Sequence, residues 1–207
     1  MYESQEMKSK NTTILLVILC ITAFFVNRSA LPTDIMESRN IVTAREMVSD
    51  NNWLVPTMNG ELRLEKPPLP TWVAGLVEMI VPNSLSAQRF APAVMGFLWT
   101  LFLFLTAKYL TRRNRFAVNS VLVFLTLYNV VLMGRSATWD IYCHAFMMGA
   151  VYFLLRGFYD DDHGFYEEDL GFYDGGLVHT HKWRWFLLFG LFMGLSFESK
   201  GPVSFYA

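Results

Sequence analysis

Thr33-Asp34-Ile35-Met36-Glu37-Ser38-Arg39 opens, and Glu65-Lys66-Pro67-Pro68-Leu69-Pro70-Thr71-Trp72 closes, the stretch on which the reading of this chain turns. Between them lie Arg45-Glu46-Met47 and Asn52-Trp53-Leu54-Val55-Pro56. The stretch is rich in ionisable groups, whereas the sequence on either side is strongly apolar. Charges next to a bilayer are costly and need a reason. A segment of this kind reads as a loop on one face of a membrane, carrying a site that transmembrane helices hold in place.

The totals agree. Of 207 residues, 53% are hydrophobic and 16% aromatic, and the mean hydropathy is +0.29, which is too apolar for an ordinary soluble domain. The net charge of -1 is uninformative; its distribution is not, because charges gather between apolar runs. The basic residues form no patch interleaved with aromatics, so no nucleic-acid partner is expected. Cys20 and Cys143 stand far apart. That spacing excludes a CxxC redox or zinc site and predicts buried free thiols.

The expected fold class is all-α: a polytopic transmembrane helical protein with interfacial helices in its first external loop. Spans are expected over 12–31, 90–110, 116–133, 141–157 and 184–199, each near the roughly 20 residues a crossing helix needs. The first is taken as a retained anchor rather than a signal peptide, since no small-residue cleavage site follows it. Asp34 to Asp50 reads as an amphipathic interfacial helix, with Ile41, Ala44, Met47 and Val48 opposite Arg39, Asn40 and Glu46. Pro67, Pro68 and Pro70 forbid a regular helix before about Thr71. Trp72 to Val81 is about half a span long and reads as re-entrant or interfacial, with Trp53 and Trp72 as interface aromatics.

Lys8 and Lys10 place the N-terminus in the cytoplasm, and Lys108, Arg112, Arg113 and Arg115 place the end of the second span there too. The loop 32–89, the connection Arg135 to Asp140, and Lys200 then share the outer face. The loop 158–183 falls on the cytoplasmic side. It repeats Gly-Phe-Tyr at Gly157, Gly164 and Gly171 among acidic residues and reads as a solvated acidic loop. His179 and His181 within it are a weak zinc signal. The last residues, Val203-Ser204-Phe205-Tyr206-Ala207, carry no polar tail, as in the N-terminal part of a longer membrane protein.

Asp34 and Glu37 share one helix face, where a carboxylate pair suits a general base or metal ligand as well as it suits helix capping. Lys66, stiffened by two prolines, is placed to neutralise a phosphate. Arg135 and Asp140 flank a span end on the same side. One base, a second carboxylate and several cations on one face suit displacement of a phosphate leaving group by a hydroxyl.

Arg45-Glu46-Met47, Asn52-Trp53-Leu54-Val55-Pro56, Asn59-Gly60, Glu65-Lys66-Pro67-Pro68-Leu69 and Trp72 resemble the first external loop of the bacterial ArnT-like transferases. That group is related to the protein O-mannosyltransferases and has the GT-C fold. Arg89 and the run Arg135 to Asp140 match in kind and order. The resemblance implies a multi-pass bacterial inner-membrane glycosyltransferase with its site facing the periplasm. It would move a hexose or pentose from a polyprenyl-phosphate donor to a lipid such as lipid A, another glycan or a protein. Carried over by position, Lys66 contacts the donor phosphate, Glu65 is a metal or site ligand, and Asp140 is the second-loop carboxylate. Arg39, Arg89, Arg135 and Lys200 join the substrate-binding set; a divalent metal ion is the one cofactor the resemblance leaves open. The family shows Asp-Glu-x-Arg where this chain has Met36-Glu37-Ser38-Arg39, so the key carboxylate falls to Asp34, with Glu37 as the other choice. A transporter or flippase for an anionic lipid-linked substrate would also want cations near a membrane, but its helices should break at mid-membrane in repeated halves. An inactive structural fragment is the third option.

Overall fold

The computed structural model describes Tyr2–Phe158 and Trp183–Pro202, with side chains from Thr12 onward. The Gly164 and Gly171 repeats, the acidic run between them, and His179 and His181 lie outside the described residues.

The described chain is helical apart from one small hairpin. Helix α1 (Tyr2–Phe25) leads through a 3-10 turn (Arg28–Ala30) to α2 (Ile35–Ser49). The hairpin pairs β1 (Thr57–Met58) with β2 (Glu61–Leu62), antiparallel, with Thr57 opposite Leu62. Helices α3 (Leu69–Ile80), α4 (Leu85–Gln88), α5 (Phe90–Thr111), α6 (Asn114–Thr126), α7 (Tyr128–Gly134), α8 (Asp140–Phe158) and α9 (Trp183–Lys200) follow. Among the described residues, three segments are long and apolar enough to cross a membrane: Thr12–Ala30, Leu85–Thr111 and Asp140–Phe158. They answer to the first, second and fourth expected spans.

The third expected span is not one helix. α6 and α7 meet at Leu127 with a bend of 76°. Leu127 is extended there, with ψ 116°, so the α-helical hydrogen-bond ladder stops. α9 is helical where expected, with Arg184, Glu198 and Lys200 near its ends. It runs antiparallel along α8. Ser196 Oγ donates to the Cys143 carbonyl at 2.9 Å, Phe192 meets Phe146 and Phe153, and Phe186 meets Phe158.

The core is aromatic rings set against small residues. Phe24 is fully buried among Ala93, Phe124 and Val130. Its ring fills the space over Gly96, where an added Cβ would lie 2.9 Å from it, and over Gly134. Small residues let helices approach closely when lipid offers no hydrophobic drive for packing. A second cluster joins Met95 of α5 to Ile141, Tyr142 and Ala145 of α8. On the outside of α1, Ile14, Leu15 and Ile18 are exposed, as a lipid-facing stripe should be. Cys20 and Cys143 are both free and buried.

Beyond the span ends, α2 and α3 form a second layer on the face where α1 ends and α8 begins. α3 starts at Leu69, two residues earlier than the prolines suggested, because Pro70 falls in the first turn, where no intrahelical N–H is needed. It buries Thr71, Ala74, Gly75 and Glu78, and leaves Leu76, Met79 and Ile80 exposed, as a helix lying in an interface does. Trp72 donates its indole N–H to the Trp53 carbonyl at 2.7 Å, and the Trp53 ring covers Gly75, so these two tryptophans join the loop to α3.

Candidate active site

Helix α2 begins where Asp34 accepts the Glu37 backbone N–H at 2.7 Å, an N-cap that a carboxylate makes well. Its buried face carries Glu37, Asn40, Ile41, Ala44 and Met47. Asn40 was expected on the polar side; it lies instead 1% exposed in the core. It donates to the Ala137 carbonyl at 3.0 Å and accepts from the Thr71 hydroxyl at 2.9 Å. One turn earlier, Glu37 accepts the Ala137 N–H at 2.9 Å. Two side chains of α2 therefore grip both backbone groups of one residue in the connection before α8.

Glu37 is also the partner of Arg89. The guanidinium reaches its two carboxylate oxygens at 2.7 and 2.6 Å. The same Arg89 donates to the carbonyls of Arg28 and Leu31 at 2.7 and 2.8 Å and, more weakly, to that of Pro32. The side chains are 0% and 1% exposed. Burial of this depth is tolerated because every donor of Arg89 is used. Glu37 was expected as a catalytic carboxylate and Arg89 as a substrate-binding residue. These residues bind each other, and they tie α2, α5 and the loop after α1 into one unit. Arg135, expected to bind substrate, donates to the carbonyls of Ala23, Thr22 and Val26, which the end of α1 leaves without helical partners.

Asp34 and Arg39 are exposed and line a shallow cavity of about 370 Å³ with Thr33, Ser38, Val42, Met58 and Asn59. The cavity is walled on one side by the hairpin turn, which Glu46 holds. Glu46 accepts the Thr57 hydroxyl at 2.8 Å and the backbone N–H groups of Asn59 and Gly60. These bonds, the Thr57 bond first, keep its carboxyl below the usual glutamate range.

The other expected residues meet where α8 begins and α9 ends. Lys200, the last residue of α9, is ion-paired with Asp140 at the start of α8. Burial, and after it the nearby Lys66 ammonium, press Lys200 below the usual lysine value. Pro67, next in chain, sits 3.8 Å from where a Cβ on Gly201 would be. Lys66, Asp140 and Lys200 thus form one cluster, an ion pair with a second ammonium near its lysine, all partly exposed. The ion pair settles one positive charge and leaves the other to attract an anion. Glu65 is exposed beside it. Among the described residues no three His, Cys, Asp or Glu side chains gather to hold a metal ion, so Glu65 has no companion ligands among them.

Asn40, Arg63 and Trp139 went unnoticed as site-shaping residues. Arg63, only 6% exposed, lies over the Trp139 ring at 5.1 Å. It donates to the Arg39 carbonyl at 2.7 Å and the Thr43 hydroxyl at 2.8 Å. A lone arginine in a short loop gives no periodic signal that would have flagged it.

Membrane-length helices joined at one face by a helical loop, with a cationic cluster at their ends, define a polytopic membrane protein with the GT-C fold. The chain is similar to the ArnT-like transferases and to the protein mannosyltransferases within that class. Residues 65–166 match the family model described as dolichyl-phosphate-mannose-protein mannosyltransferase. The undecaprenyl phosphate-alpha-4-amino-4-deoxy-L-arabinose arabinosyl transferase 2 of Proteus mirabilis is 29% identical over 133 residues, 64% of this chain and 24% of that protein. The corresponding transferase of Edwardsiella ictaluri is 33% identical over 104 residues, 50% of this chain and 19% of its own length. The chain thus matches a quarter or less of these relatives' length. The crystal structure of ArnT from Cupriavidus metallidurans bound to undecaprenyl phosphate has the same fold. Its TM-score is 0.76 at 20% identity, covering 94% of this chain and 33% of that one.

Proposed function

We propose that the protein to which this chain belongs is a membrane glycosyltransferase. It moves a sugar from a polyprenyl-phosphate donor to a lipid, glycan or protein acceptor at the non-cytoplasmic face of a bacterial inner membrane. The observation that carries this is the meeting of Lys66, Asp140 and Lys200 at the outer ends of α8 and α9. Lys66 neutralises the donor phosphate as the glycosidic bond breaks and negative charge develops on the leaving oxygen. Lys200 shares that role while Asp140 holds its ammonium in place. Asp34, which lines the open cavity with Arg39, takes the proton from the acceptor hydroxyl. Glu37 and Arg89 position both regions through Ala137 and the start of α2.

The orientation follows from Lys108, Arg112, Arg113 and Arg115, which cluster at the opposite ends of the helices, as cytoplasmic cations do. The flippase reading is weaker because, among the described residues, the one sharp helix break, at Leu127, carries no charged side chain. The test uses the full-length protein, purified and incubated with polyprenyl-phosphate-linked sugar and a lipid acceptor. Mass spectrometry should show glycosylated acceptor and free polyprenyl phosphate in equal amounts. Movement of the intact donor across a vesicle bilayer without cleavage would overturn the proposal.

A further inference from the structure

Arg63 lies directly after the hairpin, two residues before Glu65 and three before Lys66. Trp139 directly precedes Asp140. Both side chains are buried, 6% and 3% exposed, and the guanidinium stacks on the indole at 5.1 Å. Arg63 Nη1 is spent on the Arg39 carbonyl and the Thr43 hydroxyl. Arg63 Nη2 and Trp139 Nε1 are buried and find no acceptor among the described residues. Buried donors are almost always matched, so two unmatched donors on a stacked arginine and tryptophan point to an acceptor that arrives with a ligand. In the chain they stand next to Asp140 and three residues from Lys66, members of the cluster assigned above to the donor phosphate, and the next part of a lipid-linked donor is its sugar. Arg39 and Glu65 are the charges that bear on Arg63, one of each sign, so its own positive charge is not overwhelmed.

We infer that Arg63 is a specificity-determining residue: with Trp139 it selects a donor sugar that presents oxygen acceptors, uncharged or acidic, and turns away a sugar bearing a protonated amine. This rests on the lipid-linked-sugar reading above. A guanidinium has only donors and a permanent charge, and an ammonium also has only donors, so the two can neither hydrogen-bond nor attract. A sugar hydroxyl accepts one N–H, and a carboxylate accepts two. The relatives named for a 4-amino-4-deoxy sugar use a donor of the kind this site excludes.

Competition binding on the purified full-length protein tests it, using polyprenyl phosphate bare, or linked to a neutral hexose, a hexuronic acid or 4-amino-4-deoxyarabinose. The hexose or hexuronic donor should bind at least about tenfold more tightly than the amino sugar donor; which of the two leads identifies the sugar class. Arg63→Gln should bring all three sugar donors within about threefold of one another and leave bare polyprenyl phosphate unchanged. Trp139→Phe keeps the ring and removes the N–H, so it should weaken the oxygen-rich donors without helping the amino sugar. Equal binding of the amino and neutral donors by the wild type would overturn the inference, as would an equal loss on all four lipids in both variants. Failure of the wild type to bind bare polyprenyl phosphate would instead bring down the enzyme reading itself.

Discussion

The buried Glu37–Arg89 pair gives the most demanding prediction about how the site is held. Replacing Arg89 with Met keeps a long side chain and leaves Glu37 charged and 1% exposed, with the Ala137 N–H as its remaining partner. Breaking such a pair from one side costs about 3–5 kcal/mol, because an uncompensated charge stays buried. The carbonyls of Arg28 and Leu31 lose their donor as well, which keeps the loss toward the upper end. Replacing Glu37 with Leu in the same chain removes the stranded charge, so the double variant should be more stable than the sum of the single losses by about 2 kcal/mol or more. The assay is reversible denaturant unfolding of the full-length protein in detergent, followed by helical circular dichroism, on wild type, both singles and the double. A loss below about 1 kcal/mol for Arg89→Met would refute the reasoning, as would singles that simply add, since neither fits a desolvated pair.

Three further outcomes follow from particular contacts. Asp34→Asn keeps the N-cap, because Asn caps as well as Asp. It should therefore abolish sugar transfer while the melting temperature and donor binding stay unchanged; an active Asp34→Asn enzyme would rule Asp34 out as the base. Glu46 has its carboxyl depressed in the fold, so the stability it lends the hairpin is present above the ordinary glutamate range and lost as pH falls through the lowered value. Hydrogen exchange at the Asn59 and Gly60 amides, corrected for intrinsic rates, should lose its protection on acidification in the wild type. In Glu46→Gln, protection should be weak at every pH. Gly96→Ala puts a methyl 2.9 Å from the buried Phe24 ring and should cost about 1–3 kcal/mol by the same unfolding assay, with Phe24→Leu relieving part of it.

Much of this was legible in the sequence because long apolar runs and a charged interruption follow directly from the cost of polar groups in lipid. The structure brings Lys200 to both Asp140 and Lys66; three long apolar helices and the helix α2 came from run length and periodicity. The bend at Leu127 did not, since Phe124-Leu125-Thr126-Leu127-Tyr128 contains no Pro or Gly to announce it. The pairing of Glu37 with Arg89 spans 52 positions, and no local pattern reports on a contact that distant. Asn40 looked solvent-facing because a polar residue on an amphipathic helix usually is. Only the arrival of Ala137 and Thr71 over α2 gives its amide partners and allows burial. Arg63 was missed for the related reason that its environment is built by Trp139, far along the chain.

The central claim, that Lys66 and its neighbours receive the donor phosphate, is tested most directly by the affinity of the purified full-length protein for bare polyprenyl phosphate, compared between wild type and Lys66→Ala. A buried or half-buried charge pair on a phosphate is worth enough that the variant should bind at least about tenfold more weakly. Turnover of a sugar-loaded donor should fall by roughly 10²–10³, the loss expected of one electrostatic stabiliser. Unchanged affinity and turnover in a variant that melts like the wild type would contradict the account.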